Sequence, residues 1–396
     1  MRGKHLRKSP LTNTEPRVLV VNAGSSSLKV ELLPERFSFV SERLGGDAEV
    51  HTTFGTLPHA DKVSSHREAL DLALTTLKEK IPLESVGVVG HRVVHGGEIY
   101  TGPTRITDKV ISDIAALCDL APLHNGANLE GIRAALQVLP KIPHVAVFDT
   151  AFHTTLPSNA YLYGLPRNLY ETGIRVYGFH GTSHDYVTQE AARVLDRPRD
   201  SLDIVSLHLG NGASAAAVQR GKSIDTTMGF TPLDGLLMGT RSGDLDPGVV
   251  LHLLRKGHTA EDLDDLLNRR SGLLGLSGVS SDMRDVKRAA NEGNRKALEA
   301  LDVFYYRIRK TVGAYAAAMG GLDAVVFTAG IGENDAATRT QALQGLSFLG
   351  IELDEQKNQN CETVISAADS RVQVLVIPTD EALMIARGAL NVIGSS

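Results

Sequence analysis

The segment VLVVNAGSSSLKVEL runs from Val18 to Leu32. An apolar run stops at Asn22, three serines follow Gly24, and apolar residues return from Leu28. This pattern predicts two strands joined by a turn, yet a hairpin needs only a turn residue or two. About half a chain later the pattern returns as IVSLHLGNGASAAAV, Ile204 to Val218. Each copy has a strand, a turn of small residues with Asn, Gly and Ser, and a second strand. The repetition predicts two related domains, each opening with a hairpin whose turn is stripped of bulk. Glycine lets a ligand approach the backbone closely, and successive free N–H groups form an anion-binding nest. Serine hydroxyls add donors, and Lys29 adds a positive charge on the second strand. Two such turns suit a polyphosphate.

Composition narrows the class. The chain has 396 residues, 42% apolar and 22% charged, with 41 basic against 46 acidic side chains and a net charge of −5. That balance argues against nucleic-acid binding driven by general charge. Cys118 and Cys361 lie far apart, so neither a disulfide framework nor a cysteine-rich metal site is expected. The N-terminal stretch MRGKHLRKSPLTNTEPR is basic and polar without an apolar core, so it reads as a disordered tail over 1–17 rather than a secretory signal. No apolar run approaches membrane-spanning length. A reducing cytoplasm, with no membrane partner, is the expected location.

Apolar runs at Val86–Val94, Val145–Phe148, Ala324–Phe327 and Val372–Ile377 add further strand candidates. Between strands lie helical patterns. The clearest, Ala297 to Met319, carries a stripe of Leu301, Phe304, Ile308, Val312, Tyr315 and Met319 and stops at Gly320-Gly321. The alternation predicts an α/β protein with largely buried sheets. Gly221-Lys222-Ser223 is no phosphate-binding P-loop, because Ala216 stands where the upstream glycine is required; it reads as a surface turn.

Polar residues gather where strands end, the edge at which open α/β sheets hold ligands. Arg92 and His95 flank one strand end and Asp149 another. His180 precedes a helix whose start holds Thr182 and Asp185 at capping-box spacing. His180 and His184 are spaced like zinc ligands on a helix, but Gly181 and the missing glutamate argue against zinc. Arg241 sits in an acidic, Gly-rich loop where Asp244 or Asp246 can pair with it. Asp380 and Glu381 stand at a strand-to-helix junction. Ala329 to Asn334 forms a third Gly-rich loop, in which Glu333 and Asn334 can bond a sugar or start a helix. Phosphoryl transfer needs this inventory: cations on the equatorial oxygens, carboxylates for Mg²⁺ and backbone donors for the phosphates.

From Val18 to Gly394 the chain resembles the acetate kinase family. The motifs VNAGSSSLK, HRVVHGG, APLHN, FDTAFH, YGFHGTSH, HLGNGAS, TPLDGLLMGTRSGDLDPG, SGVSSDMRD, FTAGIGEN and PTDEALMIAR fall in the family's order. The resemblance implies two RNase H-like domains, the duplicated actin-like ATPase fold, with a cleft between them. It places one domain at 18–150 plus 381–396 and a nucleotide-binding domain at 151–380. It also implies a homodimer, ATP and ADP as co-substrates, and Mg²⁺ or Mn²⁺ as the cation.

Residue by residue, the resemblance implies magnesium-site roles for Asn22 and Glu381 and a nucleotide contact for Lys29. Arg92 matches the substrate-binding arginine and Asp149 the catalytic aspartate. His180 and Arg241 match the stabilisers of the transition state. His208, Leu209, Gly210, Asn211 and Gly212, then Asp282, Met283 and Arg284, then Gly330, Ile331, Gly332, Glu333 and Asn334 match the ATP-binding loops. Val94, Leu123, Phe179 and Pro232 match the pocket for the acetate methyl group. Five positions depart from the family pattern: Gly126-Ala127 replaces two prolines, Ala382 a second glutamate, Asp234 a glutamate and Met283 a phenylalanine. The implied reaction is ATP plus acetate giving ADP plus acetyl phosphate by direct in-line transfer. A propionate kinase on the same scaffold is the neighbouring alternative, and an ATP-switched binding protein of the actin or chaperone kind is an alternative from another class.

Overall fold

The computed structural model describes residues 16–24, 27–44, 48–53, 55–56, 63–119 and 125–394. Most of the basic tail, Ser25, Ser26 and Leu123 lie outside these residues. The chain divides into two compact units. A central unit is Thr155–Thr379; an N-terminal unit joins the chain up to Thr154 with the segment beginning at Asp380.

In the N-terminal unit, eight strands form one sheet: β1 (Arg17–Gly24), β2 (Ser27–Leu33), β3 (Phe37–Glu42), β4 (Glu49–Thr52), β5 (Gly55–Thr56), β6 (Val86–Val93), β7 (Thr104–Arg105) and β8 (His144–Phe148). Their order is β5-β4-β3-β2-β1-β6-β8-β7. Strands β1 to β5 form an antiparallel meander, while β1, β6 and β8 run parallel. The central unit has β9 (Asp203–Leu209), β10 (Ala213–Gln219), β11 (Lys222–Thr226), β12 (Ala324–Thr328) and β13 (Gln373–Val376), in the order β11-β10-β9-β12-β13. There β9, β10 and β11 are antiparallel and β9, β12 and β13 parallel. The order β3-β2-β1-β6-β8 is therefore repeated as β11-β10-β9-β12-β13, which is the duplication that the two similar segments predict.

Each predicted strand forms, with shifts of a few residues at its ends. The strands that prediction missed, β3, β4, β5, β7 and β11, are short or alternate between buried and part-exposed residues, so they lack continuous apolar runs. The lone Gly221 motif is the turn it was read as: Arg220 and Gly221, both at positive φ, join β10 to β11. The long helix runs Arg295–Met319, its stripe is buried, and Gly320 caps it at φ 72°.

Both faces of the N-terminal sheet are covered, so the first strand reads as a continuous apolar run rather than an alternating one. Leu19, Val21 and Ala23 face helices His66–Lys78 and Asn125–Val138. Gly90 on β6, in register with Val20, meets the other cover, helix Glu381–Gly394. A Cβ on Gly90 would lie 2.7 Å from Ile385 Cγ2, so glycine here sets the distance of that helix from the sheet.

His91 and His144 form a buried pair in this sheet, Nε2 to Nδ1 at 2.9 Å. The Leu139 carbonyl lies 3.1 Å from His144 Nε2, so that nitrogen carries a proton. His144 Nδ1 then accepts from His91 Nε2–H, and both rings are neutral. Burial pushes both rings below the ordinary histidine value of 6.5, and for His91 the neighbouring His144 adds to the effect. The unfolded chain takes up protons below about pH 6.5 that the folded chain refuses, so stability should fall as pH drops through that value. Thermal melts between pH 8 and 5 test this. His91→Gln, which removes one titrating ring, should flatten the acid limb; an identical limb would assign the loss to other groups.

Candidate active site

Period-two geometry places the predicted residues of the N-terminal unit. Asn22 lies on the same face of β1 as Val20, and Arg92 on the same face of β6 as Gly90. Asp149 follows β8 on the face of Val147, which approaches Gly388 of the final helix. All three therefore meet the sheet face covered by helix Glu381–Gly394, near its first residue. Asp149 is fully buried, and one of its oxygens accepts from Arg92 Nη2 at 2.5 Å and Nε at 3.0 Å. Arg92 Nη1 also reaches Asn22 Oδ1 at 3.4 Å. Burial disfavours the Arg92 charge, but Asp149 and Glu381 more than offset it and hold the guanidinium above its ordinary value. Burial, with Asp149 and Glu31 adding to it, lifts the Glu381 carboxyl against the pull of Arg92 and Lys29.

Other predicted residues of this unit are placed as follows. Lys29 pairs with Glu31 at 2.6 Å on the exposed side of β2. Val94 is buried, its N–H bonded to Asn128 Oδ1. His95 is buried and its Nδ1 accepts from Gly97 N–H. Asp380, half of the predicted junction, caps the final helix through Leu383 N–H and pairs with Arg36.

In the central unit the predicted residues gather around the turn between β9 and β10, Gly210 to Gly212. His180 precedes helix Gly181–Val194 with φ 54°, a left-handed conformation in which His is one of the few enriched non-glycine residues. Its ring stacks on His208 at 4.2 Å between centroids. A Cβ on Gly212 would lie 3.6 Å from His180 Nε2 and 3.7 Å from Arg241 Nη1. The two cationic or donor groups thus converge on one glycine. Arg241 donates to the Pro232 carbonyl at 3.2 Å, and burial lowers its ordinarily high pKa. It does not take the acidic partners considered for it: Asp244 meets Arg307, and Asp246 caps helix Pro247–Arg255.

The predicted capping box does not form. His180, not Thr182, is the N-cap residue, and Asp185 pairs with Arg199 at 2.6 Å instead. The reason is the entry geometry: Gly181 already belongs to the helix, so Thr182 is inside the first turn. The third loop is a short helix, Ala329–Asn334. Glu333 accepts from the N–H groups of Ala329 and Thr379, and Asn334 donates to the Gly330 carbonyl, so both side chains also shape the loop. Asp282 caps helix Met283–Asn291 and is held down to about 2, chiefly by Arg284, whose fork clasps it. Met283 and Phe179 are buried.

Sequence reading missed the polar groups behind the two histidines. Ser183, His184, Ser206 and Ser214 are fully buried. They share one sheet face because Ser206 and His208 alternate on β9, Ser214 is in register with His208, and helix Gly181–Val194 packs on β9. Only the register, not the spacing, could have joined them.

The polar cluster of the N-terminal unit has the donor types of a hard-cation site. Asn22, Asp149 and Glu381 offer oxygen only, as Mg²⁺ prefers, and the lifted Glu381 carboxyl is one that a cation would favour as carboxylate. Among the described residues no cluster of three or more His, Cys, Asp or Glu could hold a metal. Mg²⁺ keeps waters and substrate phosphates among its ligands and so asks only one or two carboxylates of the protein. The residues fit the ion.

Residues 17–387 match the model of a family described as the acetokinase family. The chain is 52% identical over 390 residues to the acetate kinase of Caldanaerobacter subterraneus subsp. tengcongensis, covering 94% of this chain and 97% of that protein. Its fold is similar to the crystal structure of Porphyromonas gingivalis acetate kinase, with a TM-score of 0.90, 43% identity, and 95% and 99% of the two chains covered. It is also similar to a propionate kinase structure from Francisella tularensis subsp. tularensis SCHU S4, with a TM-score of 0.89, 40% identity and the same coverage.

A methyl group on Gly212 would sit in ordinary contact with His180 and Arg241 at a backbone position without positive φ. Gly212→Ala should therefore leave the melting temperature nearly unchanged while lowering turnover at least about tenfold, since sub-ångström placement governs transfer steps. Wild-type turnover in a stable variant would show that the space over Gly212 is not used.

Proposed function

We propose that this chain, which belongs to the acetokinase family, transfers the γ-phosphoryl group of ATP to acetate and forms acetyl phosphate and ADP. It is a phosphotransferase with a carboxylate acceptor. An acetate oxygen attacks the γ-phosphorus while the bond from that phosphorus to the bridging oxygen of ADP breaks; the reverse reaction runs the same bonds backwards. Such a transfer asks the protein mainly for positioning and for charge on the three equatorial oxygens.

The observation that carries this reading is the convergence of His180 and Arg241 over Gly212. Both are donors to the phosphoryl oxygens. Arg92 binds the acetate carboxylate with its planar fork, and Asp149 holds that fork in place. The loops His208–Gly212, Asp282–Arg284 and Gly330–Asn334 bind the nucleotide, and the glycines of the first let its phosphates approach the backbone closely. Asn22 and Glu381, beside Asp149, hold Mg²⁺, which when bound offsets charge on the ATP phosphates. Among the described residues no helix is long and apolar enough to cross a membrane. Helix Pro247–Arg255 presents Val249, Leu251 and Leu254 to solvent beside exposed Leu245, a face suited to a second copy of the chain and so to the homodimer.

The reaction is tested by trapping acetyl phosphate as its hydroxamate from Mg-ATP and acetate. Product formation that depends on acetate is expected; ATP hydrolysis without trapped product would favour an ATP-switched binding protein. The same assay with propionate decides between the two acids, and a higher kcat/KM for propionate would overturn the acetate reading. Arg241→Ala should lower kcat by about 10³–10⁵ with ATP binding retained, and Lys should rescue poorly because a point charge lacks the planar fork. Near-normal turnover would remove Arg241 from the mechanism.

Glu381→Ala should shift the magnesium titration of activity to higher concentration. Because the Glu381 proton is held tightly, the wild-type magnesium requirement should also rise as pH falls. An unchanged titration in the variant would leave Glu381 as a residue of the helix start alone.

A further inference from the structure

We propose that Ser214 is a positioning residue for His180, and that His184 and Ser206 behind it fix which nitrogen of the His180 ring carries the proton. The inference rests on the reading of His180 as a donor to the transferring phosphoryl group.

The geometry is a buried line of hydrogen bonds. Ser206 Oγ lies 2.9 Å from His184 Nδ1, His184 Nε2 lies 2.7 Å from Ser214 Oγ, and Ser214 Oγ lies 2.9 Å from His180 Nδ1. Ser206, His184 and Ser214 are fully buried, while His180 is part-exposed at the turn. The last nitrogen of the line, His180 Nε2, is the one that approaches Gly212 beside Arg241. His180 precedes its helix with a left-handed φ and makes no side-chain cap bond.

A serine hydroxyl has one proton and sits here between two ring nitrogens. If His184 Nε2 carries a proton, it donates to Ser214, and the Ser214 hydroxyl donates to His180 Nδ1. A neutral His180 then bears its proton on Nε2 and presents a donor over Gly212. If the line runs the other way, His180 Nδ1–H donates to Ser214, and a neutral ring presents a bare acceptor to an anionic oxygen. The first direction suits an electron-rich phosphoryl group. It requires His184 Nδ1 to accept, and Ser206 supplies a hydroxyl proton there. With Ser206 as that donor, each hydrogen bond of the line is satisfied in the direction that leaves the His180 proton on Nε2.

Ser214→Ala removes the hydroxyl from a strand position and leaves a small side chain, so the fold should persist. It should lower kcat about 10–100-fold, the scale on which partners orienting a functional histidine act, with KM for ATP and acetate little changed. In a His180→Ala background the same substitution should cost nothing more, because the two act through one ring. Long-range ¹H–¹⁵N spectra of labelled His180 should show the proton on Nε2 in the wild type and a mixture in Ser214→Ala. Normal kcat in Ser214→Ala with impaired His180→Ala overturns the inference and leaves the role of His180 standing. Equal losses in both backgrounds also overturn it, since Ser214 then acts elsewhere. Normal kcat in His180→Ala removes the reading on which the inference rests.

Discussion

A carboxylate buried without a counter-charge is unstable, and the polar cluster of the N-terminal unit is organised by that constraint. Asp149 is fully buried at the end of β8, and Arg92 on the neighbouring strand answers it through two nitrogens. Their meeting depends on three alignments at once: β6 parallel to β8, a common sheet face, and a residue at the end of each strand. The final helix begins there with Glu381, adding a second acid to a place already rich in charge. Four ionic or amide groups are held close because the pair at their centre leaves little freedom to either partner. The proposed role of Arg92 rests on the same pair: a guanidinium held by Asp149 through Nε and Nη2 is the group proposed to meet a small carboxylate.

The central half solves a different problem with neutral groups. Helix Gly181–Val194 covers a sheet face on which Ser206, His208 and Ser214 stand beside Ala216, Val218 and Val326. Each buried hydroxyl and ring nitrogen needs a partner there, and Ser206, His184, Ser214, Ser183 and Thr379 supply one another's. Such a layer packs less firmly than an apolar one but admits few arrangements, which is what a site that must orient two imidazoles requires.

The fold was legible where burial on both faces wrote continuous apolar runs, as in Val18–Val21 or Ala324–Phe327. It was less legible along the antiparallel edge, where FSFVSE and KSIDT alternate or turn polar and resemble loops. The polar residues Asn22, Arg92 and Asp149, which the structure brings together, could be picked out because a polar residue after an apolar run needs a reason. Ser214 could not, because a serine among alanines in ASAAAVQ carries no local signal; its meaning comes from facing His208 across the ladder. The cap assigned to Thr182 failed for a similar reason. A left-handed histidine moved the helix start by two residues, and spacing alone does not record a backbone angle.

Helix Glu381–Gly394 covers a sheet whose strands all lie before residue 150. During synthesis the strands around Gly90 leave the ribosome long before the helix that shields them, and more than two hundred residues of the contiguous central unit emerge in between. The N-terminal sheet thus waits half-covered while the central unit has everything it needs to fold. Gly90 and the buried valines beside it are the surface at risk in that interval, when a nascent chain is most in need of a chaperone.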